Sequence, residues 1–247
     1  MNLVIDMGNT FTKVALFEKG NLLDVHRYDD FSEEDMPFYF RKHPIKKAIV
    51  SSVGPSPEEI LQYISEHQNR PAIILDHHLP LPFQVLYETP ETLGKDRVAG
   101  VAGAFYEFPD ENILLIDAGT CITYDILTAD RIYHGGAISP GLRMRYRAMN
   151  TFTRNLPLPE QQTETPLTGK NTNGSLHSGV LHGTVNEVDG MIEEYRNEYG
   201  NLKVVFTGGD LNYFDKKLKN NIFARPNIVI TGLNKILEYY FEKKSSI

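Results

Sequence analysis

Two carboxylates stand at equivalent places in this chain. Asp6 closes the run Leu3-Val4-Ile5-Asp6-Met7-Gly8-Asn9-Thr10, and Asp117 closes Leu114-Leu115-Ile116-Asp117-Ala118-Gly119-Thr120-Cys121. In both, an apolar strand ends in Asp-x-Gly and a hydroxyl or amide side chain follows at once. Glycine lets the backbone approach a phosphate closely, and successive N–H groups in such a turn form an anion-binding nest. A carboxylate beside a nest repels a bare phosphate but suits Mg²⁺, held directly or through a bound water, because Mg²⁺ takes only one or two protein carboxylates. Taken alone, either segment is equally a hairpin whose Asp caps its turn. Their repetition in the same local context makes coincidence a poor account. Two half-molecules, each offering a carboxylate and a glycine turn to a shared cleft, suit a nucleoside triphosphate. Thr207-Gly208-Gly209-Asp210 adds a third glycine turn, either a place for an adenine ring against bare backbone or a plain strand-to-helix connection. Neither a P-loop nor a Rossmann glycine pattern occurs in the chain.

Between the two copies lies Gly94-Lys95-Asp96-Arg97. A carboxylate at Asp96 can orient a hydroxyl and take its proton, or it can cap a helix expected to begin near Val98. Arg97 offers a planar, permanently charged donor fork for a carboxylate or phosphate, or else a surface ion pair. Lys13 can reach a phosphate and reads equally as a solvated strand lysine. His77-His78 lacks a third ligand at useful spacing and reads as a strand end. Of Arg143, Arg145 and Arg147, only Arg143 and Arg147 share a helical face, which reads as solvated.

The elements that must position these residues follow from periodicity and punctuation. Strands are expected at Asn2 to Ile5, Thr12 to Phe17, Leu22 to Tyr28, Lys47 to Val53 and Ala72 to Leu75. Glu18-Lys19-Gly20-Asn21 is a turn with glycine available for positive φ. A helix is expected from Pro57 to His67 with Ser56 as its N-cap, and another, rich in small residues and closely packed, from Val98 to Tyr106. The second half opens near Glu111 with three strands running to Ile138. A helix to about Thr151 follows, then a loop from Asn155 to Gly174, a long helix to Tyr199 and a strand from Lys203 to Thr207. A last strand is expected at Asn227 to Thr231, before a terminal helix from Leu233 to Phe241. Alternating strands and helices give the α/β class with mixed sheets, and domains are expected at 1-110 and 111-247.

With 247 residues, 41% hydrophobic and 23% charged, the chain has an ordinary globular composition. Its net charge of -7 argues against nucleic-acid and anionic-membrane partners, which want a basic face. The apolar runs are strand-sized, so no membrane span is expected. The first strand starts too early for a signal peptide. One cysteine excludes an internal disulfide. A cytoplasmic location is the default.

The three glycine turns together resemble the phosphate-1, phosphate-2 and adenosine motifs of the actin-like superfamily of ATPases and sugar kinases. Within it, Asp6-Met7-Gly8-Asn9-Thr10, Gly94-Lys95-Asp96-Arg97 and Asp117-Ala118-Gly119-Thr120 resemble the signature motifs of type III pantothenate kinases. So do Tyr87-x-x-Pro90-x-x-Leu93-Gly94-x-Asp96-Arg97, Gly135-Gly136-x-Ile138-x-Pro140-Gly141, Gly169-Lys170-Asn171-Thr172 and Thr207-Gly208-Gly209. The resemblance implies duplicated actin-like (ribonuclease H-like) domains with mixed five-stranded sheets flanked by helices. It implies phosphorylation of pantothenate by ATP with Mg²⁺ and K⁺ or NH₄⁺, at the first step of coenzyme A synthesis, by a homodimer. By the same resemblance Asp96 is the catalytic base, and Tyr87, Gly94, Lys95, Asp96, Arg97 and Thr172 meet the substrate. Asp6, Met7, Gly8, Asn9, Thr10, Phe11, Thr12 and Lys13 form the phosphate-binding hairpin. Thr120 contacts ATP, and Asp117 holds the monovalent cation. Cys121 stands where the family usually has alanine, a change a small thiol tolerates; Lys95 occupies a variable position. A non-catalytic regulator on the same scaffold, or a kinase for another small hydroxy-acid or polyol, are the other readings.

Overall fold

The computed structural model describes residues 1–54, 57–68 and 71–245. Two compact units divide the chain: residues 1–109, 130–134 and 227–247 form the first, and 110–129 and 135–226 the second.

The first unit holds strands β1 (Asn2–Met7), β2 (Thr12–Glu18) and β3 (Asn21–Tyr28), helix α1 (Met36–Lys42), β4 (Lys47–Ser52), α2 (Glu58–His67), β5 (Ile73–Ile74), β6 (Gln84–Val85) and α3 (Lys95–Glu107). Its five strands lie in the order β3-β2-β1-β4-β5, β1 antiparallel to β2 and parallel to β4. The expected turn at Lys19 and Gly20 has φ of 51° and 82° at its two central residues, the backbone that suits a two-residue hairpin loop. Alternate β1 and β2 residues Leu3, Ile5, Val14 and Leu16 bury against Met36, Tyr39, Ile60 and Ile64 of α1 and α2. Helix α2 runs where expected; its proposed cap, Ser56, lies outside the described residues.

The second unit holds β7 (Ile113–Ala118), β8 (Cys121–Thr128), β9 (Ile132–Pro140) from residue 135 onward, α4 (Leu142–Phe152), α5 (Thr172–Tyr199), β10 (Lys203–Thr207), α6 (Leu211–Phe214) and β11 (Phe223–Ala224). Its order, β9-β8-β7-β10-β11, repeats that of the first unit, with β7 antiparallel to β8 and parallel to β10. The duplication read from Asp-x-Gly therefore extends to whole sheets. The start of β9 belongs to the first unit, where Ile132 and Tyr133 pair with Gln84 and Val85 of the short β6.

Helix α7 (Ile228–Ser245) belongs to the first unit and packs on α3, β1 and β4. Here one expectation is corrected: Asn227 to Thr231 is not a strand but leads into α7. The β-branched run Ile228-Val229-Ile230 suggests a strand, but its burial follows the helix: Ile230, Leu233, Asn234 and Leu237 are all fully buried. Tertiary packing decides. Gly232 lies so close to α3 that a Cβ there would come 1.7 Å from the Ala99 carbonyl, and a Cβ on Gly103 would meet the Ile228 carbonyl at 2.3 Å. The small residues read from α3 serve this helix contact. Among the described residues no helix is long and apolar enough to cross a membrane.

Candidate active site

In the first unit the central strand β1 carries Asp6 near its C-terminal end, in register with Lys13 on β2 and Ser51 on β4. The turn beyond it is closed by the Gly8 N–H donating to the Phe11 carbonyl at 3.2 Å. Gly8, Asn9 and Thr10 are exposed, Met7, Phe11 and Lys13 half-buried, and Thr12 buried. The Phe11 ring has the Arg27 guanidinium 3.8 Å from its centre and Lys13 Nζ at 5.7 Å. Two cations thus flank the hairpin; only Lys13 was legible in the sequence, because Arg27 reaches it across the β2–β3 pairing.

Part of Asp6 reaches solvent, but its Oδ1 is buried. Ser51 lies toward it, yet neither Asp6 Oδ1 nor Ser51 Oγ completes a hydrogen bond of good geometry. Burial first, and the negative charge of Asp96 second, push the Asp6 carboxyl up to about 6; Lys13 and Ser51 act in the opposite direction. A buried carboxylate oxygen lacking a donor, beside an exposed glycine turn, fits a hydrated Mg²⁺. Among the described residues no group of three or more His, Cys, Asp or Glu is arranged around a metal position.

Helix α3 brings the second motif to this unit. Its N-cap is Gly94, and Asp96 is the second helical residue, so the reading of Asp96 as the cap of a helix near Val98 is corrected. Its Oδ1 still accepts a hydrogen bond from the Arg97 N–H at 2.9 Å, satisfying one first-turn donor. Asp96 is half-buried and Arg97 buried, with the guanidinium 5.8 Å from the centre of the Tyr87 ring. Lys95 is not idle: its Nζ donates to the Ser52 carbonyl at 3.0 Å, fastening the start of α3 to the end of β4. Asp6, Lys13, Tyr87, Gly94, Lys95, Asp96 and Arg97 all lie in this unit.

The second unit builds its own turn. Asp117 faces Thr123 on β8 and Thr207 on β10, where Asp6 faces Lys13 and Ser51. The Gly119 N–H donates to the Cys121 carbonyl at 2.8 Å, giving a tighter return than the first copy. Gly208, at φ +101°, sits where a Cβ would come 2.5 Å from Asp117 Oδ1 and 2.2 Å from the Ala118 carbonyl. The Asp210 N–H donates to the Ala118 carbonyl at 2.9 Å, so the third glycine turn is tied to the second. Burial raises the Asp210 carboxyl above its usual range. Thr120 is exposed. Thr172, also exposed, opens α5, whose N-cap Asn171 accepts from the Gly174 N–H at 2.8 Å. A separate cleft of about 330 Å³ in this unit is lined by Glu164, His182, Asn186 and Lys217 among others, and includes none of these residues.

Arg143 and Arg147 are exposed as expected. Arg145, between them, instead forms an ion pair with Glu187 at 2.7 Å. His177 is buried on α5 and bonded to the Tyr146 hydroxyl at 2.9 Å. No short spacing in the sequence joins either pair.

A repeated five-stranded α/β unit, with Asp-x-Gly after the first strand of each copy, is the design of actin-like ATPases and sugar kinases. In fold the chain is similar to a conserved Baf family protein of Campylobacter jejuni, with TM-score 0.63 and 21% identity over 99% of this chain and 100% of that one. It is also similar to a ROK family glucokinase of Streptomyces griseus, solved with glucose and AMPPNP, with TM-score 0.53 and 9% identity over 98% and 99% of the two chains. A sequence profile of type III pantothenate kinases matches residues 2–194. Type III pantothenate kinases of Phocaeicola vulgatus and Christiangramia forsetii are 43% and 44% identical to it, each match covering 97% of this chain and 98% of the relative. The chain belongs to the type III pantothenate kinase family.

Proposed function

We propose that this chain transfers the γ-phosphoryl group of ATP to the primary hydroxyl of pantothenate, giving 4'-phosphopantothenate, the first step of coenzyme A biosynthesis. The observation that carries the catalytic assignment is the placement of Asp96 in one unit with Asp6, close enough for its charge to raise the Asp6 carboxyl. Phosphoryl transfer asks little covalent chemistry of a protein; positioning and neutralisation of charge do the work.

Asp96 orients the substrate hydroxyl and accepts its proton as the phosphorus–oxygen bond forms. The rigid first turn of α3 fixes its direction, and Lys95 holds that turn against β4. Arg97, buried beside Tyr87, presents its fork to the pantothenate carboxylate. Gly94 and Thr172 are further substrate contacts. The hairpin from Asp6 to Lys13 receives the ATP phosphates, with its exposed glycine turn supplying N–H donors and Lys13 a positive charge. Asp6 would hold Mg²⁺, directly or through water, and the ion would neutralise charge on the transferring phosphate. Thr120 contacts ATP, and Asp117, beneath the Gly208 turn, holds K⁺ or NH₄⁺.

The protein would work as a cytoplasmic homodimer built of two actin-like domains, divided near residue 110 as the sequence suggests but with helix α7 returned to the first. Support for self-association comes from the apolar side chains that the second unit leaves in solvent, Phe152 at 85%, Leu167 at 74% and Leu158 at 52% exposure. The decisive experiment follows ADP release by the purified protein with ATP, Mg²⁺ and pantothenate, with and without K⁺ or NH₄⁺. Pantothenate-dependent release is expected. Release no greater than the substrate-free background under every condition would overturn the proposal.

A further inference from the structure

The turn carrying Thr120 is held from behind by α4. The Gly141 N–H donates to the Thr120 carbonyl at 3.1 Å. Gly141 is also the N-cap of α4, and a Cβ there would lie 2.1 Å from the Gly119 carbonyl and 2.7 Å from that of Thr120. Backbone thus rests directly on backbone, so any shift of residues 139–141 is passed to Gly119 and Thr120.

Those three residues are in turn fixed by a half-buried ionic cluster. From the first turn of α4, Arg145 donates through Nε to the Pro140 carbonyl at 2.7 Å and through Nη2 to Ser139 Oγ at 2.9 Å. The same Nη2 meets Glu187 Oε2 on α5 at 2.7 Å, while the Ser139 hydroxyl donates to Glu187 Oε1 at 2.5 Å. The Tyr124 hydroxyl, on β8, reaches Glu187 Oε1 more loosely at 3.4 Å. Burial, and then the charge of Glu187, hold that phenol well above its ordinary range, so it stays a neutral donor. Side-chain exposures of 22% for Arg145 and 31% for Glu187 keep the pair only partly in water, where charge-assisted bonds in a fixed fork geometry are strongest. The cluster joins β8, the β9–α4 junction and α5. None of its members is needed to touch nucleotide.

We propose that Arg145 and Glu187 are positioning residues for nucleotide: their ion pair, with Ser139, fixes the β9–α4 junction and through Gly141 sets the Gly119–Thr120 turn in place to meet ATP. This rests on the reading of Thr120 as an ATP contact. Breaking the cluster should loosen the nucleotide side of the reaction and spare the pantothenate side, because Tyr87, Asp96 and Arg97 belong to the other unit and Thr172, the pantothenate contact on α5, stands about four helical turns from Glu187.

The test measures calorimetric binding of a non-hydrolysable ATP analogue, and the KM for each substrate, in wild type and in Glu187→Gln, Arg145→Lys and Thr120→Ala. Glu187→Gln and Arg145→Lys should weaken nucleotide binding and raise the KM for ATP by about tenfold, with the KM for pantothenate unchanged. Arg145→Lys keeps the charge but loses the fork, so it serves should Glu187→Gln fail to fold. The double variant Arg145→Glu/Glu187→Arg should recover part of the nucleotide affinity, because it restores an ion pair between α4 and α5. If Thr120→Ala binds the analogue like wild type, the ATP reading of that turn falls and this inference with it. If Thr120→Ala weakens binding and the folded cluster variants do not, the positioning role alone is overturned. A rise in both KM values together, tracking lost thermal stability, overturns it equally.

Discussion

Asp96 makes Asp6 a weaker acid. Apart from burial, its negative charge is the largest influence raising the Asp6 carboxyl to about 6, against an ordinary value of 3.8. A carboxylate whose charge is disfavoured by burial and by a like-charged neighbour is a poor way to stabilise a fold and a good way to prepare a cation site.

The pH dependence of stability follows from that shift. In the folded chain Asp6 keeps its proton to higher pH than in the unfolded chain, so folding binds a proton between about pH 4 and pH 6. Stability therefore falls as pH rises through this window, and above it the full penalty is present, up to about 3 kcal/mol. In metal-free buffer Asp6→Asn should melt higher than wild type near pH 7.5, and the difference should vanish near pH 4. Parallel melting curves across that range would rule out Asp6 as the group responsible.

Asp96→Asn should separate the two carboxylates. Turnover should drop by about 10²- to 10⁴-fold, the usual worth of a positioned general base, with the fold intact. Removing the Asp96 charge should also move the Asp6-dependent part of the melting profile to lower pH. The first readout tests chemistry and the second tests proximity. A variant with normal kcat would remove Asp96 from the reaction, whatever happened to the profile.

Much of this arrangement was legible because it is local. Strand alternation, the Lys19-Gly20 turn and the two Asp-x-Gly returns depend on neighbours within a few residues, and the sheet order repeats because the segments do. What escaped depends on distant partners. Ile228-Val229-Ile230 has the residues of a strand, and only the approach of Gly232 to Ala99 makes it a helix. The start of α3 at Lys95 moved Asp96 from the cap into the first turn. Arg145 looked like one of three surface arginines because Glu187 lies 42 residues away. Arg27 gave no signal because it meets Phe11 only through the pairing of β2 with β3.

Gly232 carries a stability prediction of opposite sign to helix propensity. Alanine in a helix interior is favoured over glycine by about 1 kcal/mol. At Gly232 the added Cβ would lie 1.7 Å from the Ala99 carbonyl, an atom of α3 backbone that cannot step aside. The clash wins, and Gly232→Ala should destabilise by roughly 2 kcal/mol or more as α7 lifts from α3. Chemical denaturation would show a lower midpoint. A variant as stable as wild type would mean the two helices can separate without cost.

Asp117 should govern the response to monovalent cations and Asp6 should not. The two occupy matching strand ends, but Asp6 faces Lys13 across the hairpin, whereas the cross-strand neighbours of Asp117 are Thr123 and Thr207. Lys13 supplies fixed positive charge beside Asp6, whereas the two residues paired with Asp117 carry neutral hydroxyls, which suits a weakly held, exchangeable cation. Asp117→Asn should raise the K⁺ concentration for half-maximal activation by about tenfold or more, the effect of losing about 1.4 kcal/mol of cation binding. Activity would be titrated with KCl at constant ionic strength and saturating Mg²⁺. An Asp117→Asn curve that overlays the wild-type curve would place the cation elsewhere, and a shift of the same size in Asp6→Asn would show that the two copies do not divide the work.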